Sequence, residues 1–197
     1  MRDPLLYESV EAVMVDAAAA IHHMREEWAR EISPTVSRIY AHIAGGSEAL
    51  EIVYRSSLNE MTMEEVLKKN RDRDFALGYT SGGVHRDDIY AALDGFALKD
   101  FGSQGQVKTF TIALRMAIFE YLKRNGGETP LLLLYDIFDK LDSTRVGRIM
   151  ELVSAGDTFG QIFITDTNRE HLDETLAALS GEKQLINVEQ GVFTSIL

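Results

Sequence analysis

Apolar residues recur at helical spacing from the start of the chain. Leu6, Val10, Val13, Met14, Ala17, Ile21 and Met24 form one run, and Trp28, Ile32, Val36, Ile39, Tyr40 and Ile43 continue it. Residues 5–43 contain almost no glycine, and Gly45-Gly46 ends the pattern. Pro34, preceded by Ser33, predicts two helices or one kinked there. Residues 49–56 alternate as a strand. Met61 to Arg71 predicts an amphipathic helix, and 77–88 a loop rich in turn residues. Ile89–Leu93, Asp94-Gly95 and Phe96–Phe101 predict a hairpin whose Asp-Gly pair supplies positive φ angles.

A long helix is expected over about 104–124, with Val107, Phe110, Leu114, Ala117, Ile118 and Tyr121 as its stripe. Lys123 and Arg124 suit its C-terminus, and Gly126-Gly127 stops it. Beyond it the pattern alternates. A strand at 131–135 precedes a helix at 142–154, and a strand at 161–165 precedes a helix at 168–179. A closing hairpin covers 184–196, turning at Gln190-Gly191. Strand–helix alternation implies a mainly parallel sheet, so the fold class is α/β. The composition shifts near residue 126, dividing a helix-rich lobe, 1–125, from an α/β part, 126–197.

Composition narrows the function. The chain has 197 residues, 45% of them hydrophobic, and 26% are charged, as in an ordinary globular protein. It has no cysteine, which excludes disulfides and cysteine–metal sites. With neither a membrane-length apolar run nor a signal peptide at Met1, a cytoplasmic location is expected. The net charge of −11 argues against strong nucleic-acid binding by this chain alone, because phosphate contacts need clustered Lys and Arg. It does not exclude a local basic patch. His22, His23 and His42 complete no ligand pattern and read as solvated helix faces.

Four stretches carry candidate chemistry. In Phe101-Gly-Ser-Gln-Gly-Gln-Val-Lys-Thr109, Ser103 and Gln106 form an S-x-x-Q capping box. Gly105 is left unexplained, since glycine in a first turn costs about 1 kcal/mol relative to alanine. Close approach of a ligand would explain it, and a helix N-terminus is a natural seat for phosphate. Gly102 to Thr109 nearly spells G-x-x-x-x-G-K-[ST], but Val107 stands where the loop needs glycine. His85-Arg-Asp87 resembles the kinase catalytic loop, but Ala92 stands where its asparagine belongs. Leu131 to Asp142 is a short apolar run expected to be a fully buried strand. It ends in Tyr135 and Asp136, with Asp139 and Asp142 following, as a Walker B element requires. Gln161 to Asn168 is a second such strand ending in Thr165 and Asp166, expected at the same sheet edge.

Together, Gly-Ser-Gln-Gly-Gln, Leu-Leu-Leu-Leu-Tyr-Asp-Ile-Phe-Asp-Lys-Leu-Asp and Phe-Ile-Thr-Asp-Thr resemble the ATPase head of the ABC class. More narrowly they resemble the RecF family of bacterial DNA replication and repair proteins. Gly83 to Asp88 matches that family's Gly-Pro-His-Arg-Asp-Asp, with Val84 in place of proline. The resemblance implies an ABC-type core in two parts, its C-terminal half at 126–197. It places Ser103, Gln104, Gly105 and Gln106 in the signature motif, which contacts ATP bound to the other protomer. It puts Asp136 on the catalytic carboxylate, Asp142 on the D-loop aspartate and Thr165 near the switch that senses γ-phosphate. It implies ATP and Mg²⁺ as cofactors of the full-length protein, an ATP-dependent homodimer, DNA at single-strand gaps, and RecO and RecR as partners in loading RecA during repair and the SOS response.

Two departures qualify it. Tyr135 occupies the position of the magnesium aspartate, and no Walker A loop is found. The chain is therefore expected to be a C-terminal fragment that alone neither holds ATP tightly nor hydrolyses it. Two other readings stay open. One is a partner-interaction module with a degenerate ATPase site. The other is a repair ATPase of the SMC or RecN kind, although the segment before residue 101 lacks sustained heptads.

Overall fold

The computed structural model describes residues 4–46, 48–135, 141–154, 158–167, 172–173, 177 and 182–195. Helix α1 (Pro4–Ala44) is 41 residues long. Strand β1 (Leu50–Arg55) follows, then α2 (Met63–Leu77), β2 (Asp88–Leu93), β3 (Phe96–Ala97), the short α3 (Leu98–Phe101) and α4 (Gln104–Gly126). The remainder is β4 (Leu132–Tyr135), α5 (Ser143–Ser154), β5 (Ile162–Thr165), and the hairpin β6 (Ile186–Glu189) and β7 (Val192–Ser195).

Pro34 does not divide the first helix: α1 continues through it. A proline inside a helix costs about 3 kcal/mol through its missing N–H and its ring. Around it Ile32, Val36, Ile39, Tyr40 and Ile43 are all buried. Burial of each large apolar side chain is worth roughly 1.5–3 kcal/mol, which exceeds that cost. Two serines flanking Pro34 also stitch α1 to the sheet. The Ile52 N–H donates to Ser33 Oγ at 3.1 Å, and the Ser37 hydroxyl donates to the Leu50 carbonyl. The other edge of β1 pairs antiparallel with β2, from Leu50–Leu93 to Arg55–Asp88.

The main core joins α1, α4, β4 and α5, with Leu50, Ala91 and Leu98 from the elements between them. A second cluster of Ala18, Met63, Val66 and Leu67 sits between α1 and α2. Several expectations shift. The N-terminal part of α1 turns much of its apolar stripe to solvent: Val13 is 69% exposed, and Val10 and Met24 are also exposed. Its partner α2 runs on to Leu77, six residues past the expected end, capped by Thr62 and Glu65 at its start and by Gly78 at φ +78°. The second hairpin strand stops at Ala97, because 98–101 coil into α3. In α4 the fully buried face is Thr109, Ile112, Ala113, Met116, Ala117 and Phe119, rotated from the expected stripe, and Val107 is exposed.

The β4–β5 pair is parallel, as expected, with Leu132–Ile162 through Tyr135–Thr165 in register. Strand β4 is not fully buried. Leu132 and Leu134 enter the core, while Leu133 is 61% exposed and Tyr135 75% exposed. The described residues cover this sheet on one face only. The expected hairpin at the end of the chain is present as β6–β7. The helix expected at 168–179 falls mostly outside the described residues, as do Asp136, Asp139 and Asn168. No helix among the described residues is long and apolar enough to cross a membrane.

Candidate functional site

The N-terminus of α4 is built as its sequence predicts. The Gln106 N–H donates to Ser103 Oγ at 3.2 Å, and the Ser103 N–H donates to Gln106 Oε1 at 2.8 Å. Ser103 and Gln104 are exposed. The first-turn amides of a helix lack intrahelical partners and carry its positive dipole end, so they attract anions. Gly102 closes α3 immediately before this turn, and a Cβ there would stand 2.5 Å from the Leu98 carbonyl oxygen. Within the next turn, buried Thr109 donates its hydroxyl to the Gly105 carbonyl at 2.8 Å.

The Gln106 side chain makes a second bond that sequence reasoning missed. Its Nε2 donates to Glu48 Oε1 at 2.6 Å, and the hydroxyl of buried Tyr40 donates to Glu48 Oε2 at 2.6 Å. Burial first, and then the Glu48 carboxylate, push the Tyr40 hydroxyl well above its ordinary range, while Arg145 pulls it the other way. No local pattern marks Glu48: it follows a glycine pair, 58 residues before its partner in the chain.

The other candidates lie at the parallel sheet and at the start of α5. Tyr135 and Thr165 are register partners at the C-terminal ends of β4 and β5, so the two strand ends share one edge, where open α/β sheets bind ligands. Both are exposed. Asp142 caps α5: its Oδ1 accepts the Arg145 N–H at 2.9 Å, and its carbonyl accepts the Val146 N–H at 3.1 Å. The Arg145 amide bond holds the Asp142 carboxyl below the usual range against the opposing effect of burial, and the Arg145 charge adds to the lowering. Asp136, the candidate catalytic carboxylate, lies outside the described residues.

Helices α4 and α5 are both tied to the same end of α1. Helix α4 is tied through Gln106, Glu48 and Tyr40. Helix α5 is tied through Arg148, whose Nη1 donates to the Ile43 carbonyl at 3.2 Å. That guanidinium lies across Gly45, where φ is +98° and a Cβ would meet Arg148 Nη1 at 2.7 Å. The positive φ is what favours glycine there, since the Arg148 side chain can shift.

The Gly83–Asp88 stretch is a packed turn. The Asp87 side chain is 2% exposed and accepts from Arg25 at 3.2 Å and from the Tyr54 hydroxyl at 2.6 Å. Arg25 also donates to the Val84 carbonyl at 2.6 Å, and His22 Nδ1 lies 3.1 Å from the Tyr54 hydroxyl. Because that hydroxyl donates to Asp87, its oxygen accepts from His22, which places the ring proton on Nδ1. Burial and then the Asp87 bond raise the Tyr54 pKa. A carboxylate enclosed in this way holds the loop to α1 and β1, in line with setting the kinase reading aside.

No group of three or more His, Cys, Asp or Glu that could hold a metal occurs among the described residues. Tyr135 offers a phenol where a hard cation needs a carboxylate, so the described edge residues do not fit a Mg²⁺ site. Two hollows among the described residues, about 240 and 160 Å³, are lined by neither Ser103, Tyr135, Asp142 nor Thr165.

RecF of Porphyromonas gingivalis is 43% identical to the chain over 190 residues, which span 96% of this chain and 52% of that protein. The chain thus spans about half the length of the curated relatives it matches. A solved structure of the recombination mediator RecF with ATP superposes with a TM-score of 0.76 at 21% identity, covering all of this chain and 52% of that one. A structure from work on ATP-driven dimerisation of SMC ATPases gives 0.53 at 17% identity over 88% of this chain. No protein-family model matches. The sequence is RecF-like over nearly all of its length, and the fold is shared with RecF and SMC ATPase heads.

Proposed function

We propose that this RecF-like chain is part of an ATP-dependent DNA-binding protein of replication and recombinational repair. In this proposal residues 1–125 are the helix-rich lobe and 126–197 the C-terminal part of the ATPase core. Two protomers close on ATP. Ser103, Gln104, Gly105 and Gln106 approach the γ-phosphate of ATP held by the opposite protomer, Asp142 lies at the dimer interface, and Thr165 lies near the switch that senses γ-phosphate. Asp136 orients the attacking water. The nucleotide binds the closed state preferentially and so shifts the equilibrium toward the dimer. The closed dimer engages DNA at single-strand/double-strand junctions in the cytoplasm. It acts with RecO and RecR in loading RecA, and serves the SOS response.

One observation carries the reading. In a RecF-like sequence, the capped N-terminus of α4, through Gln106, and helix α5, through Arg148, are both anchored on the last turns of α1. A motif meant for another protomer's phosphate must stand on the surface, and Ser103 is exposed there and bonded to Gln106. Hydrolysis is expected to be weak, because Tyr135 replaces the Mg²⁺ carboxylate.

Sedimentation of the whole polypeptide that the gene encodes tests the reading. ATP is expected to convert monomer to dimer. A polypeptide that binds ATP and stays monomeric at all concentrations contradicts it.

Tyr135 favours a second reading, a partner-interaction module whose ATPase site has decayed. Tyr135→Asp in the whole polypeptide separates the two. A gain in hydrolysis supports a residual ATPase, and no change supports the module.

A further inference from the structure

Gln106 is the hinge of the α4 N-terminus. Its Oε1 must face the Ser103 N–H to complete the capping box, so its Nε2 must find an acceptor on the other side. Glu48 supplies that acceptor at 2.6 Å, and Tyr40 occupies the second carboxylate oxygen at 2.6 Å. An amide that donates to a carboxylate cannot flip without placing its oxygen against that carboxylate. Tyr40 is buried in the main core, so the carboxylate itself is fixed from α1.

We propose that Glu48, braced by Tyr40, is a positioning residue that fixes the orientation of Gln106 and thereby the presentation of Ser103 and the first-turn amides of α4 to phosphate. The inference rests on the proposed role of that turn in ATP-driven dimerisation. Glu48 touches neither nucleotide nor metal in it, and acts only through Gln106. The groups facing Glu48 are Gln106 on α4 and Tyr40 on α1, and Arg145 and Asp94 bear on Tyr40 electrostatically.

Two measurements separate this role from the wider reading. The first is amide hydrogen exchange at Ser103 and Gln106 in the 197-residue chain, which needs no nucleotide. Glu48→Ala is expected to accelerate both by about tenfold, the size of one charge-assisted hydrogen bond. Amides of α2 should be unchanged. Glu48→Gln is expected to stay near the parent rate, since its carbonyl still accepts from Gln106 while its amide donates to the Tyr40 oxygen. Tyr40→Phe keeps the ring packing, shifts the rates in the same direction by less, and serves should Glu48→Ala fail to fold. Unchanged rates in a folded Glu48→Ala or Tyr40→Phe chain overturn the positioning role.

The second is ATP-dependent dimerisation of the whole polypeptide. Glu48→Ala is expected to raise the ATP concentration at half-dimerisation about tenfold, with unchanged nucleotide affinity of the monomer. Arg38→Ala, which removes a surface pair with Glu120, should leave it unchanged. Dimerisation of Glu48→Ala at the parent ATP concentration overturns the proposal. If the parent itself does not dimerise on ATP, the proposed function fails, and the exchange measurement still decides the geometry.

Discussion

Replacing Asp87 by alanine tests how the Gly83–Asp88 turn is held. Removing one partner of a buried ion pair typically costs about 3–5 kcal/mol, because the other charge is left buried. Here the figure should be smaller. Arg25 is 41% exposed and keeps the Val84 carbonyl at 2.6 Å, so it is neither dry nor unpaired. Tyr54 keeps His22 as a neighbour at 3.1 Å. What is lost is one charge-assisted bond at 2.6 Å and one longer contact at 3.2 Å. Hydrogen bonds to charged groups contribute about 1.5–3 kcal/mol, which gives an expected loss of about 2 kcal/mol. Tyr54→Phe alone should cost about 1 kcal/mol, and the double-mutant coupling between the two should be about 1 kcal/mol. Urea unfolding followed by circular dichroism reads all three. A neutral or stabilising Asp87→Ala, or zero coupling with Tyr54, would refute the assignment of the turn's anchorage to this carboxylate.

Other perturbations follow from the same structure. Asp142→Ala should cost about 1 kcal/mol in urea unfolding through loss of the α5 cap. Because the folded Asp142 pKa is lowered, its contribution is present above the ordinary value of 3.8 and is lost as pH falls through the folded value. The Tyr40 pKa is raised, so the native chain holds a proton that the unfolded chain releases. Stability is full below the ordinary value of 10.0 and falls as pH rises above it, and Tyr40→Phe should lose less over that window in alkaline melts. Leu134→Ala should cost about 2–5 kcal/mol and Leu133→Ala under about 0.5 kcal/mol in this chain, since only Leu134 faces the core.

Local chemistry was legible in the sequence. The S-x-x-Q box at Ser103 is a short-range pattern, and it folds as such. The alternation of residues 49–56 became β1, and the Asp-Gly pair turned the hairpin with Asp94 at φ +49° and Gly95 at φ +83°. What failed was whatever depends on distant packing. Helix α4 carries apolar residues on several faces, so spacing alone could not fix which of Ile112 and Met116 or Leu114 and Ile118 lies deepest. An unbroken leucine run cannot reveal that Leu133 and Tyr135 point away from the core. Pro34 allowed two helices or one kinked, and burial on either side keeps α1 continuous. Glu48 carried no local signal at all, because its partners come from α1 and α4.

The central claim is that the 103–106 turn meets the γ-phosphate of a nucleotide held by another protomer. A photoreactive ATP analogue bearing its label on the γ-phosphate reads this directly in the whole polypeptide. Labelling is expected within the segment from Ser103 to Thr109, rising with protein concentration as dimer forms and abolished by Ser103→Arg. Labelling that is independent of concentration, or that spares this segment in the dimer, would contradict the account.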